Sequence, residues 1–332
     1  MIFSSRDLIL YLMSLIEKVR ETVIPLERIL SPWDDQRWLL RTPTPEEILA
    51  APEELLFYRE HWDEFLPEFP DQGNRGTCVG WAHTGDSEVN NKWRDNIMDD
   101  LSPEDCYYKA RKYDGLPDII GEGSNNLGAM KARQKEGICL EATYPTSIDK
   151  AVPSPGIQKP LEEYREEAAQ YVIDNYYQVQ LMPSVWKTSI AGIISDPQWD
   201  GPKPIVAAYK CTGTMFEYAE EHDGILPSDP GADVLGGHSS LFAAYKIIDG
   251  ELYFGNANTW GADQGDEGWF WHPSSYLFNG IILEGMISHY GPPIIPEEPS
   301  GCIVAQSYAR LGNGLSSVLG RKSRFKTYIP KY

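Results

Sequence analysis

Four residues in three separated stretches have the types and settings that nucleophilic catalysis needs. Residues 70–84 read PDQGNRGTCVGWAHT and hold Gln72 and Cys78. A thiol becomes a strong nucleophile as its thiolate, and a helix N-terminus and a nearby imidazolium both favour that form. Cys78 stands behind a glycine-rich loop at the start of a helix-like run, which meets the first condition. The imidazole must then be delivered by the fold. His83, five residues on, points to another side of the same helix and reads as structural. His238, in LGGHSSLFAAY, follows Gly236 and Gly237, which allow close approach, and opens a strand-like alternation. Asn258, in GNANTWGADQGDEGWFW, comes twenty residues later after a strand leading back across the same sheet. Its side-chain oxygen can orient an imidazole without adding charge. An acyl-transfer site also needs donors for the oxyanion. The backbone N–H of Cys78 is one, and the side-chain amide of Gln72, across the turn, is the second.

These residues need two kinds of support. After Cys78 a helix continues through VGWAHTGDSEVNNKWRDN with Thr77 as its expected cap. LSPEDCYYKARKY carries Ser102 as N-cap and Pro103 at the first helical position, and NNLGAMKARQKEG closes on Gly137. The later stretches PIVAAYKC, HSSLFAAYKIIDG and ELYFGNANTW are short, apolar or aromatic, with Asp249-Gly250 as a hairpin signal. The fold class expected is α+β, a helical lobe followed by a β lobe. Residues 1–65 read as an N-terminal extension, apolar at helical spacing (Leu8, Leu12, Leu15, Ile16, Val19) and then acidic. It serves either as a pro-region or as a cover for the cleft. Residues 66–291 form the catalytic domain. Residues 292–332 are a Pro-rich linker and a basic tail.

Composition sets outer limits. A chain of 332 residues, 42% hydrophobic with ten Trp and nineteen Tyr, can bury a large core. Its net charge of −20 argues against general nucleic-acid binding. The last 33 residues carry six basic groups and no acidic one, so the rest of the chain stands at −26. That tail is either a solvated terminus or a docking segment for an acidic partner. The five cysteines, Cys78, Cys106, Cys139, Cys211 and Cys302, form no zinc or C-x-x-C pattern. The sequence calls for neither metal nor cofactor. LILYLMSLI near the N-terminus is flanked by charges and has no cleavage site, so it reads as an amphipathic helix rather than a signal peptide or a membrane span.

The three blocks DQGNRGTCVGWA, GGHSSLFAAY and NTWGADQGDEGWFW resemble, in order, the signature blocks of the papain family of cysteine peptidases. The resemblance covers about residues 66–290. It implies a two-lobe fold, with a mainly helical left lobe, an antiparallel, barrel-like right lobe and a cleft between them. It also implies peptide hydrolysis through an acyl-enzyme. Gln72 matches the oxyanion glutamine, Cys78 the nucleophile, His238 the base, Asn258 the orienting residue and Trp260 the tryptophan bordering the leaving-group side. Arg75 and Ser124 stand where papain pairs two cysteines, which resembles the disulfide-poor intracellular-type members of bacteria, archaea and viruses and implies a reducing, cytoplasmic workplace. Asn126 and Leu127 take the place of the glycine pair that lines the substrate cleft, and Gly237 lines it beside the base. Residues 150–204 read as an insertion. Two other readings stay open, a binding or structural protein on this scaffold and a thiol amidase or transferase.

Overall fold

The computed structural model describes residues 23–24, 29, 31, 38–39, 70–96, 99–115, 122–146, 164–191 and 203–290. Most of the N-terminal extension, much of 150–204 and all of the basic tail lie outside them. The chain divides into two compact units, Met1–Ile294 and Ile295–Tyr332, and every described residue belongs to the first.

Three helices build the first lobe: α1 (Cys78–Asp95), α2 (Pro103–Tyr113) and α3 (Asn126–Lys135). Their ends follow local chemistry. Ser102 Oγ accepts the Asp105 N–H at 3.1 Å, behind Pro103 and two acidic residues in the first turn of α2. Asn125 Oδ1 caps α3 through Gly128 N–H at 2.9 Å. Gly137, at φ 70°, then ends α3, its N–H reaching back to the carbonyls of Ala132 and Arg133. Thr77 departs from expectation. Its backbone sits at φ −104°, ψ 11°, outside the extended region a capping side chain needs, so the carbonyl of Thr77 receives the Gly80 N–H at 2.8 Å and the hydroxyl caps nothing.

Cys78, Val79, Leu101, Cys106, Ala110, Ala129 and Ile138 share one apolar cluster inside this lobe. A buried ion pair also ties α1 to α3. Arg133 Nη1 lies 2.8 Å from Asp86 Oδ2, and the same oxygen accepts Ser288 Oγ–H at 2.6 Å. That carries the tie across to the sheet.

The second lobe is a sheet of β1 (Trp38–Leu39), β2 (Asn175–Gln178), β3 (Ile205–Thr212), β4 (Val234–Ile248), β5 (Glu251–Ala257), β6 (Trp269–Pro273) and β7 (Ile282–His289). The strand order is β1-β2-β7-β3-β4-β5-β6. Among the described strands the pair β1 and β2 is parallel and the other neighbours are antiparallel. The sheet is open rather than barrel-like, because β1 and β6 end up at opposite edges with five strands between them. Asp249 (φ 50°) and Gly250 (φ 83°) make the β4–β5 turn, as the Asp-Gly pair predicts. Short helices α4 (Arg165–Ala168), α5 (Pro183–Ala191) and α6 (Gly213–Glu221) connect or cover the strands. Trp186 of α5 fills the main core, with its ring centroid 5.4 Å from that of Phe242 and 5.5 Å from that of Phe254.

Candidate active site

Cys78 is the first residue of α1 and is fully buried. The main-chain amides of Ser239, Val79 and Cys78 bond toward its sulfur and favour the thiolate, yet burial outweighs them and pushes the thiol up to about 12. The helix N-terminus alone led to the opposite expectation. The carboxylate of Glu122 adds to the upward push.

His238 lies within β4, whose ladder begins four residues earlier because Gly236 and Gly237 keep pairing with Cys211 and Lys210. Its Nε2 is 2.9 Å from Asn258 Oδ1, the residue that follows β5. With Nε2–H donating to that oxygen, Nδ1 is the lone-pair nitrogen, and it has no partner among the described residues. Ring neighbours fix the imidazole plane. Trp260 is at 4.7 Å and tilted 39°, and Tyr209 stands edge-on at 5.6 Å. Burial lowers the imidazole to about 4, with the Asn258 bond opposing. Burial thus favours the neutral form of both thiol and imidazole.

Gln72 is gripped at three points. Its N–H donates to Thr259 O at 2.8 Å, its Nε2 donates to Arg75 O at 2.6 Å, and its Oε1 accepts from Thr259 Oγ1. Thr259 sits between Asn258 and Trp260, so one loop orients both the histidine partner and the amide. Sequence reading passed over Thr259; its place inside NTWG was the available signal.

The residues proposed to line a substrate fall unevenly. Gly237 exchanges two main-chain bonds with Ile24, donating at 2.7 Å and accepting at 2.9 Å. Asn126 Oδ1 receives Ser239 Oγ–H at 2.7 Å and faces His83 Nε2 at 3.3 Å. The Leu127 side chain packs with Met130, Ile173, Tyr176 and Met286 in a core cluster, and its N–H donates to Ser31 Oγ at 3.1 Å. Gly76, Gly123 and Gly236 also face Ile24, and an added Cβ at Gly123 would meet Ile24 Cβ at 3.1 Å. His83 is fully buried, accepts from Arg133 Nη1 at 3.1 Å and is held neutral by burial and by that cation. It is part of the α1–α3 tie.

Among the described residues no group of three or more His, Cys, Asp or Glu could hold a metal ion, and no helix is long and apolar enough to cross a membrane. Four described cysteines, Cys78, Cys106, Cys139 and Cys211, are free thiols.

No protein-family model matches the sequence, and no curated protein matches it. Solved structures do match in shape. Xylellain, a cysteine protease from Xylella fastidiosa, is similar at a TM-score of 0.64 with 21% identity, over 80% of this chain and 96% of that one. Procathepsin B S9 from Trypanosoma congolense gives 0.61 and 15%, over 83% and 89%. The bromelain protease from Ananas comosus, in complex with the E64 inhibitor, gives 0.54 and 16%, over 72% and 100%. With helices on one side, an open sheet on the other and these neighbours, the chain has the α+β fold of the papain-like cysteine proteases.

Proposed function

We propose that the protein is a cysteine-type endopeptidase. The observation that carries this reading is the setting of His238. Its Nε2 is committed to Asn258 Oδ1, its Nδ1 has no partner among the described residues, and the main-chain N–H of its strand neighbour Ser239 is directed at the Cys78 sulfur. In the reaction Nδ1 takes the thiol proton and the sulfur bonds to the peptide carbonyl carbon. The oxyanion is held by the Cys78 N–H and the second Nε2–H of Gln72. The C–N bond then breaks, the amine leaves with the proton from His238, and a thioester remains. Water attacks it with His238 as base, which releases the acid and restores the thiol.

The same reading makes part of the N-terminal extension a cover over the site. Ile24 pairs with Gly237, Ile29 is buried in the cluster that contains Cys78, and Ser31 Oγ donates to Glu284 Oε1 at 2.7 Å. In order along the chain these residues pass from β4 toward β7. A substrate would run the other way, because its leaving, C-terminal half departs beside His238 and Trp260. A reversed segment can therefore fill the cleft without presenting a bond in register for cleavage.

A mixed peptide library incubated with Ile24→Pro, which loosens the cover, and with the same variant carrying Cys78→Ala, read by mass spectrometry, tests the function. New peptide termini with Ile24→Pro that vanish on adding Cys78→Ala are expected. Release of ammonia or exchange of acyl groups without new termini would point to an amidase or transferase. No Cys78-dependent product would leave a binding protein, the reading favoured by the complete burial of Cys78 and His238.

A further inference from the structure

The peptide unit joining Arg75 to Gly76 is held from both sides. Its carbonyl oxygen accepts Gln72 Nε2–H at 2.6 Å, and its N–H donates to Glu122 Oε2. The other oxygen of Glu122 accepts Arg75 Nε–H at 2.9 Å, so the guanidinium holds the carboxylate that holds its own peptide plane. Arg75 Nη1 continues to Glu104 Oε2 of α2 at 2.5 Å. Arg75 and Glu104 are 6% and 8% exposed, so solvent screens these contacts little. A planar fork that meets two carboxylates at once is a task for arginine and not for lysine.

The ring ends at the oxyanion site. Gln72 Oε1 is taken by Thr259 Oγ1 and one Nε2–H by the Arg75 carbonyl, so a rotation of the 75–76 peptide plane would turn the remaining N–H away from the carbonyl under attack. Resting on the peptidase reading above, we propose that Arg75, braced by Glu104 and Glu122, is a positioning residue that aims the Gln72 amide at the oxyanion. Glu122 also lies close enough to Cys78 for its charge to oppose the thiolate, and the paired guanidinium offsets that charge. The brace stands at the position where papain carries a disulfide cysteine. Here charge and hydrogen bonds tie the loop before Cys78 to the irregular stretch 122–125 that leads into α3.

The test is a double-mutant cycle on the full chain, in a background carrying Ile24→Pro to loosen the covering segment. Arg75→Met and Glu122→Gln are each expected to lower kcat about ten- to a hundredfold with KM within about twofold, because misaiming a donor weakens the transition state selectively. In the Gln72→Ala background the same substitutions should cost less than about twofold more, since the group they aim is gone. Thermal unfolding of each variant reports whether it folds. If Arg75→Met does not, the nearly isosteric Glu122→Gln carries the cycle alone. An active parent in which the losses multiply independently, or appear in KM, overturns this inference and leaves the peptidase reading standing. A parent with no Cys78-dependent cleavage overturns both.

Discussion

The side-chain oxygen of Asn258 bonds Nε2 of His238, and that contact fixes Nδ1 as the nitrogen left to serve as base in the proposed reaction. Asn258→Ala leaves Nε2 free to take either tautomer. We expect kcat to fall about ten- to a hundredfold with the fold intact, checked by steady-state kinetics beside circular dichroism. Asn258→Asp keeps the acceptor and adds a charge. An opposite charge beside an imidazole favours its protonated form, so the ring should titrate above the value near 4 that burial imposes, as read by NMR of the His238 ring nitrogens. An unmoved titration would show that Asn258 and His238 do not share a bond in solution. The motif around these residues is local, and each was legible. The role of Thr259 was not, because a hydroxyl inside the same motif gains meaning only once Gln72 lies against it.

At the scale of elements, Ile24 and Ser31 are the described residues of the extension that carry the proposed cover. Ile24 gives one N–H and one carbonyl to Gly237, and it sits so near Gly76 that an added Cβ there would meet Ile24 Cγ2 at 2.8 Å. Ile24→Pro removes the N–H and the branched side chain together. The loss of one hydrogen bond and part of one apolar contact, about 1.5–3 kcal/mol, should raise the rate of Cys78 alkylation by iodoacetamide about tenfold or more. Mass spectrometry must place the label on Cys78, because Cys106, Cys139 and Cys211 are also buried thiols. An unchanged rate at Cys78 would mean that residue 24 does not guard it. The secondary structure behind this site was readable where a neighbour within four residues decides it, as with Ser102, Gly137 and Asp249-Gly250. It was misread at Thr77, where the turn carrying Arg75 sets the backbone and overrides the capping preference.

At the scale of the whole molecule, burial is the main cause of the shifts at the fully buried histidines and thiols among the described residues. His83, His238 and His272 are all held below the ordinary histidine value by desolvation, His272 to about 3. The unfolded chain binds protons at these sites below about pH 6.5 while the folded chain does not, so their contribution to stability falls as pH drops below that value. Glu88, raised to about 8 by burial, works in the opposite direction above about pH 4.5. Wild-type stability alone therefore mixes signs, and a difference isolates one group. His272→Gln keeps a polar atom near Asn256 Nδ2, the 3.1 Å neighbour of the ring, and removes the titration. Between pH 6.5 and 4.5 the variant should lose about 2 kcal/mol less stability than wild type, measured by urea unfolding at both values. Equal losses would place the His272 titration within the normal range.

The sequence by itself was enough to single out Cys78, His238, Asn258 and Gln72 as candidates and to divide helices from strands. Those signals rest on helix ends, tight turns and alternation, which involve neighbours a few residues apart. Tertiary structure alone decided the rest. It brought Glu122 to Arg75 across 47 positions, set Ile24 against Gly237, placed Leu127 in the core and left the sheet open. It also reversed the expected state of the Cys78 thiol. A helix N-terminus favours a thiolate in any setting, but desolvation grows with everything that closes over the sulfur, and at Cys78 that larger cost wins.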